Sequence, residues 1–288
     1  MNNFFIIIPV FNDWESLNKL LLNLNQSINR IKGIIRIIVI NDYSSEKINL
    51  RIKNLNNIKT IKVLNLKKNV GSQKAIFIAL KYIQKIKYRS IISILDADGE
   101  DDPRKLRQLI NLSLKKKSCV YVANRSVRTE NTLLKFFNHV RLIFTFFLTG
   151  KYINFGNFSS FSSQNIKEIL SNNNLWLAYS SGLLKNCRKI KLVNIKKQKR
   201  YFGKSKVNLK FLLNHTIKII CVFRKEIFIR SVIVITFLMF VFKNQFIELN
   251  LIIFFLLLNV FINAYYLIHS LSFDALKLIK NTNNLKNN

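Results

Sequence analysis

Negative charge is scarce in this chain: 14 Asp and Glu stand against 47 Lys and Arg, a formal net charge of +33 over 288 residues. Cysteine is scarcer still. The three thiols, Cys119, Cys187 and Cys221, lie far apart with no C-x-x-C pair, which argues against a zinc site and suits a reducing compartment. The three histidines, His139, His215 and His269, are equally scattered, form no ligand spacing and are read as structural. No cleavable signal peptide opens the sequence, because Met1-Asn-Asn runs straight into the strand-like FFIIIPV, so the N-terminal domain is expected to be cytosolic. Also lacking are a recognised nucleic-acid module and a basic groove interleaved with exposed aromatics. No nucleic-acid partner is expected, despite a pI of about 10.3. The abundance of Lys, Asn and Ile together reads as A+T-rich coding, and Lys-rich helices beside a bilayer gain attraction to anionic lipid headgroups.

What the chain does have is alternation. Apolar runs at Phe4–Val10, Ile34–Ile40, Ile61–Leu66, Ile91–Leu95 and Val120–Ala123 are separated by helical patterns starting near Trp14, Ser72 and Pro103. That order predicts an α/β fold with a mostly parallel sheet flanked by helices. The runs lack period-2 polarity, as strands covered on both faces do. Ligands of such sheets bind outside the carboxyl ends of the strands. Those ends carry Pro9-Val-Phe-Asn-Asp13, Asn41-Asp-Tyr-Ser-Ser45, Asn69-Val-Gly-Ser72 and Asp96-Ala-Asp98. Taken singly, Asn12 and Asp13 are helix N-caps, Asp42 and Ser44 an Asx-type turn, and Gly71 a left-handed turn residue. Taken together, four polar strand ends converge on one crevice.

The fourth of these ends gathers Asp96, Asp98, Glu100, Asp101 and Asp102 behind an apolar strand. Hard oxygen ligands there suit Mg²⁺ or Mn²⁺. The alternative is a solvated acidic loop that caps the helix beginning at Pro103.

Toward the C-terminus the chain reads IFIRSVIVITFLMFVF from Ile227, breaks at Lys243-Asn-Gln, and resumes as LNLIIFFLLLNVFINAYYLI from Leu249 to Ile268. A bilayer core takes about 20 mostly apolar residues per helix. Two membrane helices within 226–270 are expected, with Arg230 snorkelling to an interface and a buried helical hairpin as the alternative. Flanking Lys218, Arg224 and Lys225, and then Lys277, Lys280 and Lys286, place both flanks in the cytoplasm and leave 271–288 as a cytoplasmic tail. A further stretch, Leu133–Leu148, is too polar at Lys135, Asn138, His139 and Arg141 to span. It is too aromatic for water, and either an in-plane interfacial helix or packing on the sheet accounts for it.

The ordered strand ends PVFND, INDYSS, NVGSQKA and DADGEDDP resemble those of family 2 nucleotide-sugar glycosyltransferases with the GT-A fold, across about residues 4–225. Arg200-Tyr-Phe-Gly-Lys-Ser-Lys206, followed by apolar helices, resembles the polyprenyl-phosphate subgroup, including dolichol-phosphate mannosyltransferase and its bacterial relatives. The resemblance implies a GT-A domain over 1–225, with a basic acceptor segment about 196–210. It implies that Pro9, Phe11, Asp13 and Asp42 contact the nucleoside and that Asp96 and Asp98, with Glu100 as a third carboxylate, hold the metal at the diphosphate. Asp98 and Arg125 would be catalytic, Arg125 on phosphate groups with Arg128 assisting. Arg200, Ser205 and Lys206 would receive an acceptor phosphate.

Breaking a sugar–diphosphate bond develops negative charge, which a divalent ion and Arg neutralise. The stretches Gly156–Ile169 and Asn174–Cys187 show no obvious acid to serve as a base, Glu168 having the pattern of a surface residue. That absence fits an already anionic phosphate nucleophile. The expected function is inverting, metal-dependent transfer of a sugar from a nucleotide diphosphate sugar to a polyprenyl phosphate, by a multi-pass protein of the bacterial inner membrane with a cytoplasmic catalytic domain. A glycan or lipid hydroxyl acceptor, or a non-catalytic relative, is the alternative, and self-association is left open. Departures from the family pattern are Asn41 for the first Asp of VDDGS, Ala123 for Gly, and Gly156-Asn-Phe-Ser159.

Overall fold

The computed structural model describes residues 2–51, 53–86, 88–125, 132–203, 209–241, 245–270 and 274–286. They form two compact units: Met1–Thr129 with Phe155–Lys206 and Ser272–Asn288, and Glu130–Asn154 with Val207–Leu271. This division differs from the expected cut at residue 225. The first unit takes back the C-terminal segment, and the second draws in the stretch before residue 155.

The first unit is an α/β sandwich. In chain order it contains β1 (Asn3–Val10), α1 (Trp14–Ser27), β2 (Ile34–Asn41), β3 (Thr60–Leu66), α2 (Ser72–Gln84), β4 (Ser90–Ile94), α3 (Pro103–Lys115) and β5 (Val120–Arg125). After α4 (Thr132–Thr149) of the second unit come β6 (Phe155–Ser162), α5 (Ile166–Ile169), α6 (Asn174–Leu177), α7 (Tyr179–Asn186) and β7 (Ile190–Ile195). The second unit resumes with α8 (Leu209–Val222), α9 (Arg224–Val241) and α10 (Gln245–Ser270), and β8 (Ile279–Lys286) returns to the first.

The eight strands lie in the order β7-β5-β6-β4-β1-β2-β3-β8, parallel except where β6 and β8 meet their neighbours. Alternating residues of β1 feed two cores. Phe4, Ile6 and Ile8 pack with Leu17, Leu20, Leu21 and Leu24 of α1 and Leu106, Leu109 and Ile110 of α3. Phe5 and Ile7 pack with Ala75, Ile76, Ala79 and Leu80 of α2. Both faces are thus covered, which is why the strands read as unbroken apolar runs. Helix α3 starts where Asp102 accepts a hydrogen bond from the Arg104 amide at 3.0 Å and Pro103 presets the first turn. Parallel pairing sets Val10 beside Asn41 and Ile7 beside Ile94, so the loops after β1, β2 and β4 open at one end of the sheet.

The expected cytoplasmic tail is part of the sheet. Residues 279–286 pair antiparallel with β3, from Thr60 beside Lys286 to Leu66 beside Ile279. Its sequence, IKNTNNLK, has too little apolar periodicity to announce a strand. The backbone groups of β3 supply the template, and polar side chains suit the resulting edge.

The second unit is helical. Within α4 the small polar Asn138, Thr145 and Thr149 are buried, whereas Phe136, Val140, Ile143, Phe144 and Phe147 are exposed. That is the reverse of a helix facing water. Helices α9 and α10 are bridged by Asn259 Nδ2 donating to Ser231 Oγ at 3.0 Å. Arg230 donates to the Phe147 carbonyl at 3.2 Å, and its guanidinium lies over Gly150, so it closes the C-terminal end of α4. Among the described residues one helix is long and apolar enough to cross a membrane, Glu248–Ser270, with mean hydropathy 2.3. The expected partner span, α9, has 18 residues, and Arg224, Lys225, Glu226 and Arg230 occupy its first two turns.

Candidate active site

The first two strand-end loops are stitched together by Asn12, which holds a left-handed backbone with φ of 47°. Its amide donates to Ser44 Oγ at 3.0 Å, and its side-chain oxygen accepts from the Ser45 amide at 2.9 Å. Asp42 ties the second loop to the third, its two carboxylate oxygens accepting from the Val70 and Gly71 amides at 2.8 Å each. Burial pushes the Asp42 carboxyl up to about 6, against the lowering effect of those two bonds. Asp42, expected at the nucleoside, is 2% exposed and holds the backbone of the third loop. Pro9 lies within β1, and Phe11 is exposed at its mouth.

Asn41 does what an aspartate could not. Its Nδ2 donates to Asn65 Oδ1 at 2.9 Å while its Oδ1 accepts from the Ser44 amide at 2.9 Å. Asn65 in turn donates to Asn281 Oδ1 at 2.8 Å, so an amide ladder runs from this loop across β3 to β8.

The acidic loop is divided by role. Asp101 accepts from the Asp96 amide at 3.1 Å, and Asp102 caps α3 and binds Arg104 through both oxygens, at 2.9 and 3.0 Å. Asp96 Oδ1 accepts from Asn157 Nδ2 at 2.9 Å, Asn157 Oδ1 accepts from Gln73 Nε2 at 3.1 Å, and Gln73 Oε1 accepts from the Tyr179 amide at 2.6 Å. Asp98 is crowded by like charge. Burial, then the charges of Asp96 and Glu100, push its carboxyl up to about 7.

That surplus of negative charge is met by a basic segment lying across the loop. Arg200 places NH1 2.8 Å from Asp98 Oδ2 and NH2 3.1 Å from Asp13 Oδ2, joining two strand ends. Lys197 Nζ is 2.8 Å from Glu100 Oε2, and both side chains are largely buried. The Gln198 amide donates to the Glu100 carbonyl and the Tyr201 amide to the Asp98 carbonyl, both at 2.9 Å. Tyr201 also accepts from Asn23 Nδ2 at 2.8 Å, and its ring lies directly on Gly99, whose φ is 82°. Only a residue without Cβ allows that approach.

Asp13, Asp98, Glu100 and Arg200 come together in one constellation, with Asp96 on its Asn157 side. Arg125 closes β5, its backbone beside Ile195 of β7. Arg128, Ser205 and Lys206 lie outside the described residues. Asp13 makes no side-chain cap on α1 and faces Arg200 instead. Lys197 and Tyr201 fall within the expected acceptor segment at about 196–210 without individual roles in it, and Asn157 and Gln73 have no expected role at the site. The run Lys196-Lys-Gln-Lys199 looked like one more basic stretch, and Asn157 sits on a strand that Ser and Phe do not advertise.

Glu100, expected as a third metal ligand, has its carboxylate on Lys197. Among the described residues no group of three His, Cys, Asp or Glu could by itself hold an ion. Asp96 and Asp98 do fit a Mg²⁺-type site of one or two carboxylates completed by substrate phosphates and water. The observation in favour is the donor set itself, two hard carboxylates on one strand-end loop, Asp96 held in direction by Asn157 and Asp98 already facing a cationic group.

The profile of the family described as glycosyl transferase family 2 matches residues 5–171. An uncharacterised glycosyltransferase of Synechocystis is 29% identical over 132 residues, 46% of this chain and 40% of that protein. Among solved structures, mannosyl-3-phosphoglycerate synthase from Rubrobacter xylanophilus has a TM-score of 0.51 at 12% identity, over 77% of this chain and 72% of its own. Staphylococcus aureus TarS in complex with UDP-GlcNAc has a TM-score of 0.49 at 13% identity, over 78% and 66%. The likeness to the Rubrobacter synthase is one of fold. The matched region is thus less than half of the Synechocystis protein and just under two thirds of the TarS chain. With the family profile covering more than half its length, the chain belongs to glycosyl transferase family 2.

Proposed function

We propose that the protein transfers a sugar from a nucleotide diphosphate sugar to the phosphate of a polyprenyl phosphate, at the cytoplasmic face of a membrane. The observation that carries this reading is the place of Arg200. Its guanidinium is 2.8 Å from Asp98, so a phosphate that it receives lies beside the donor diphosphate held at the acidic loop.

Pro9, Phe11 and the loops stitched by Asn12 and Asp42 form the nucleoside side of the crevice. Asp96 and Asp98 would hold Mg²⁺ or Mn²⁺, which supplies charge neutralisation for the departing diphosphate. Asn157 fixes the direction of the Asp96 carboxylate through the Gln73–Tyr179 relay. Arg200 brings positive charge to the acceptor side, and Arg125, which ends β5, would contribute to the phosphates. The anomeric carbon inverts in an in-line displacement. The acceptor phosphate is its own nucleophile, which agrees with Glu168 lying at the surface, where it accepts from the Arg188 amide at 3.0 Å. Membrane attachment draws on the outward-facing aromatics of α4 and the exposed large hydrophobics of α9 and α10, which water does not favour. In this reading α9 and α10 cross as a pair, the basic start of α9 lying at the headgroups.

Membranes carrying the protein, incubated with labelled nucleotide sugars, would transfer label to undecaprenyl phosphate. Transfer to a sugar hydroxyl with none to the lipid phosphate would reject the acceptor. Binding of nucleotide sugar without turnover on any acceptor would identify a non-catalytic relative.

A further inference from the structure

We propose that Arg200 and a divalent cation are alternative partners of Asp98, and that Lys197 is the positioning residue keeping the 197–201 segment over the acidic loop while Arg200 changes partner. The inference rests on the metal reading of Asp96 and Asp98.

All three nitrogens of the Arg200 guanidinium are engaged: NH1 on Asp98, NH2 on Asp13, and Nε 3.4 Å from the Phe202 carbonyl. Its side chain is 19% exposed and those of Asp98 and Asp13 are 16% and 23% exposed, so these charge-assisted bonds are shielded from water. A cation bound by Asp98 sits about 2.1 Å from the carboxylate oxygen. A guanidinium 2.8 Å from the same oxygen would then face a doubly charged ion at short range. Asp98 Oδ1 already accepts from the Glu100 amide at 3.0 Å, so the ion and Arg200 compete for Oδ2, with like charges opposing each other there. One guanidinium does in this structure what the ion would do in the loaded site: it offsets the charge that crowds around Asp98.

The segment does not depend on Arg200 for its seat. Lys197 on Glu100, the two backbone bonds from Gln198 and Tyr201, the Tyr201 hydroxyl on Asn23 and the ring on Gly99 all fasten it independently. The Lys197–Glu100 pair is the fastening most costly to break from one side, since both groups are withdrawn from water and loss of Lys197 leaves the Glu100 charge buried without it. This accounts for a glutamate in the loop that does not serve the ion. Arg200 released in place is a cation already at the donor diphosphate, free to take the incoming phosphate. Arrival of the ion with the donor therefore precedes productive binding of the acceptor.

The test titrates Mn²⁺ alone into the full chain in detergent and follows free Mn²⁺ by its electron paramagnetic resonance signal. If Arg200 holds Asp98 nine-tenths of the time, apparent affinity is reduced about tenfold, and Arg200→Met restores it. Arg200→Lys, which keeps the charge without the two-carboxylate reach, falls between, and Asp98→Asn loses binding. In parallel, hydrogen exchange at the Gln198 and Tyr201 amides stays slow in the wild type when Mn²⁺ is added and becomes fast in Lys197→Met. Equal Mn²⁺ affinity in wild type and Arg200→Met would overturn the alternation and leave the metal reading standing. Absence of Mn²⁺ binding in both would overturn the metal reading and the alternation with it. Fast exchange at those amides in Mn²⁺-loaded wild type would overturn the role of Lys197.

Discussion

Gly99→Ala probes whether the basic segment is truly seated on the acidic loop. At φ of 82° an alanine enters the left-handed region, at a cost of about 1–2 kcal/mol. Its Cβ would also come within 2.6 Å of Tyr201 Cζ, so the ring must leave. With the ring go the Tyr201 hydroxyl bond to Asn23 and the Tyr201 amide bond to the Asp98 carbonyl, each worth about 1 kcal/mol. The expected loss is roughly 3–4 kcal/mol, read as a shift in the urea midpoint without a change in slope. In a Tyr201→Ala background the collision is gone, so the same glycine substitution costs about 1–2 kcal/mol, a coupling on the order of 2 kcal/mol. Hydrogen exchange at the Tyr201 amide accelerates in Gly99→Ala. Equal destabilisation in both backgrounds would refute the seating of Tyr201 on Gly99.

Asp42 gives a pH dependence of defined sign. Its carboxyl is raised from 3.8 to about 6, so the folded state binds the extra proton between those values. The contribution of Asp42 to stability is fully present below pH 3.8 and is lost as pH rises through about 6. Wild type should therefore lose on the order of 2 kcal/mol relative to Asp42→Asn between pH 4 and 7, a difference that parallel denaturation curves either show or lack. Asn41→Asp restores the residue of the family pattern yet removes the donor to Asn65, and it should cost about 1–3 kcal/mol of stability; an unchanged midpoint would disprove the amide ladder. Asp98→Ala should abolish transfer, and activity that survives a chelator would contradict the metal reading. Glu168→Gln should leave transfer within about twofold, because the carboxylate faces Arg188 at the surface; a loss of a hundredfold would make it the base.

The parallel core of the fold was legible because burial on two faces demands unbroken apolar strands, and Phe4–Val10 of β1 and Ile37–Ile40 of β2 obey that demand. Strand β6, in which Ser alternates irregularly with Phe, was not legible. Its hydroxyls are satisfied inside the protein, as Ser93 Oγ to Ser160 Oγ at 3.0 Å and Ser159 Oγ with the Tyr179 hydroxyl at 2.7 Å show. Polarity that is paired by tertiary contacts looks like loop in one dimension. Of the site, Asp96, Asp98 and Arg200 could be anticipated from type and order. The partners they choose depended on packing: Asp42 turned to backbone amides, Glu100 to Lys197, and Asp13 away from capping. A lysine that neutralises a buried glutamate is indistinguishable in sequence from its 46 fellow cations.

The return of the chain at Ile279 to pair with β3 has a consequence of parity. A polypeptide that leaves a sheet and rejoins the same sheet begins and ends its excursion on one side of any bilayer that it meets. The number of complete crossings between α8 and β8 is therefore even. A lone passage by α10, the one helix that qualifies by length and apolarity among the described residues, would strand β8 on the face opposite its partner strand. Either α9 crosses as well, despite its charged first turns, or α10 does not cross. The most polar strand of the sheet thus counts membrane passages that hydropathy alone cannot count.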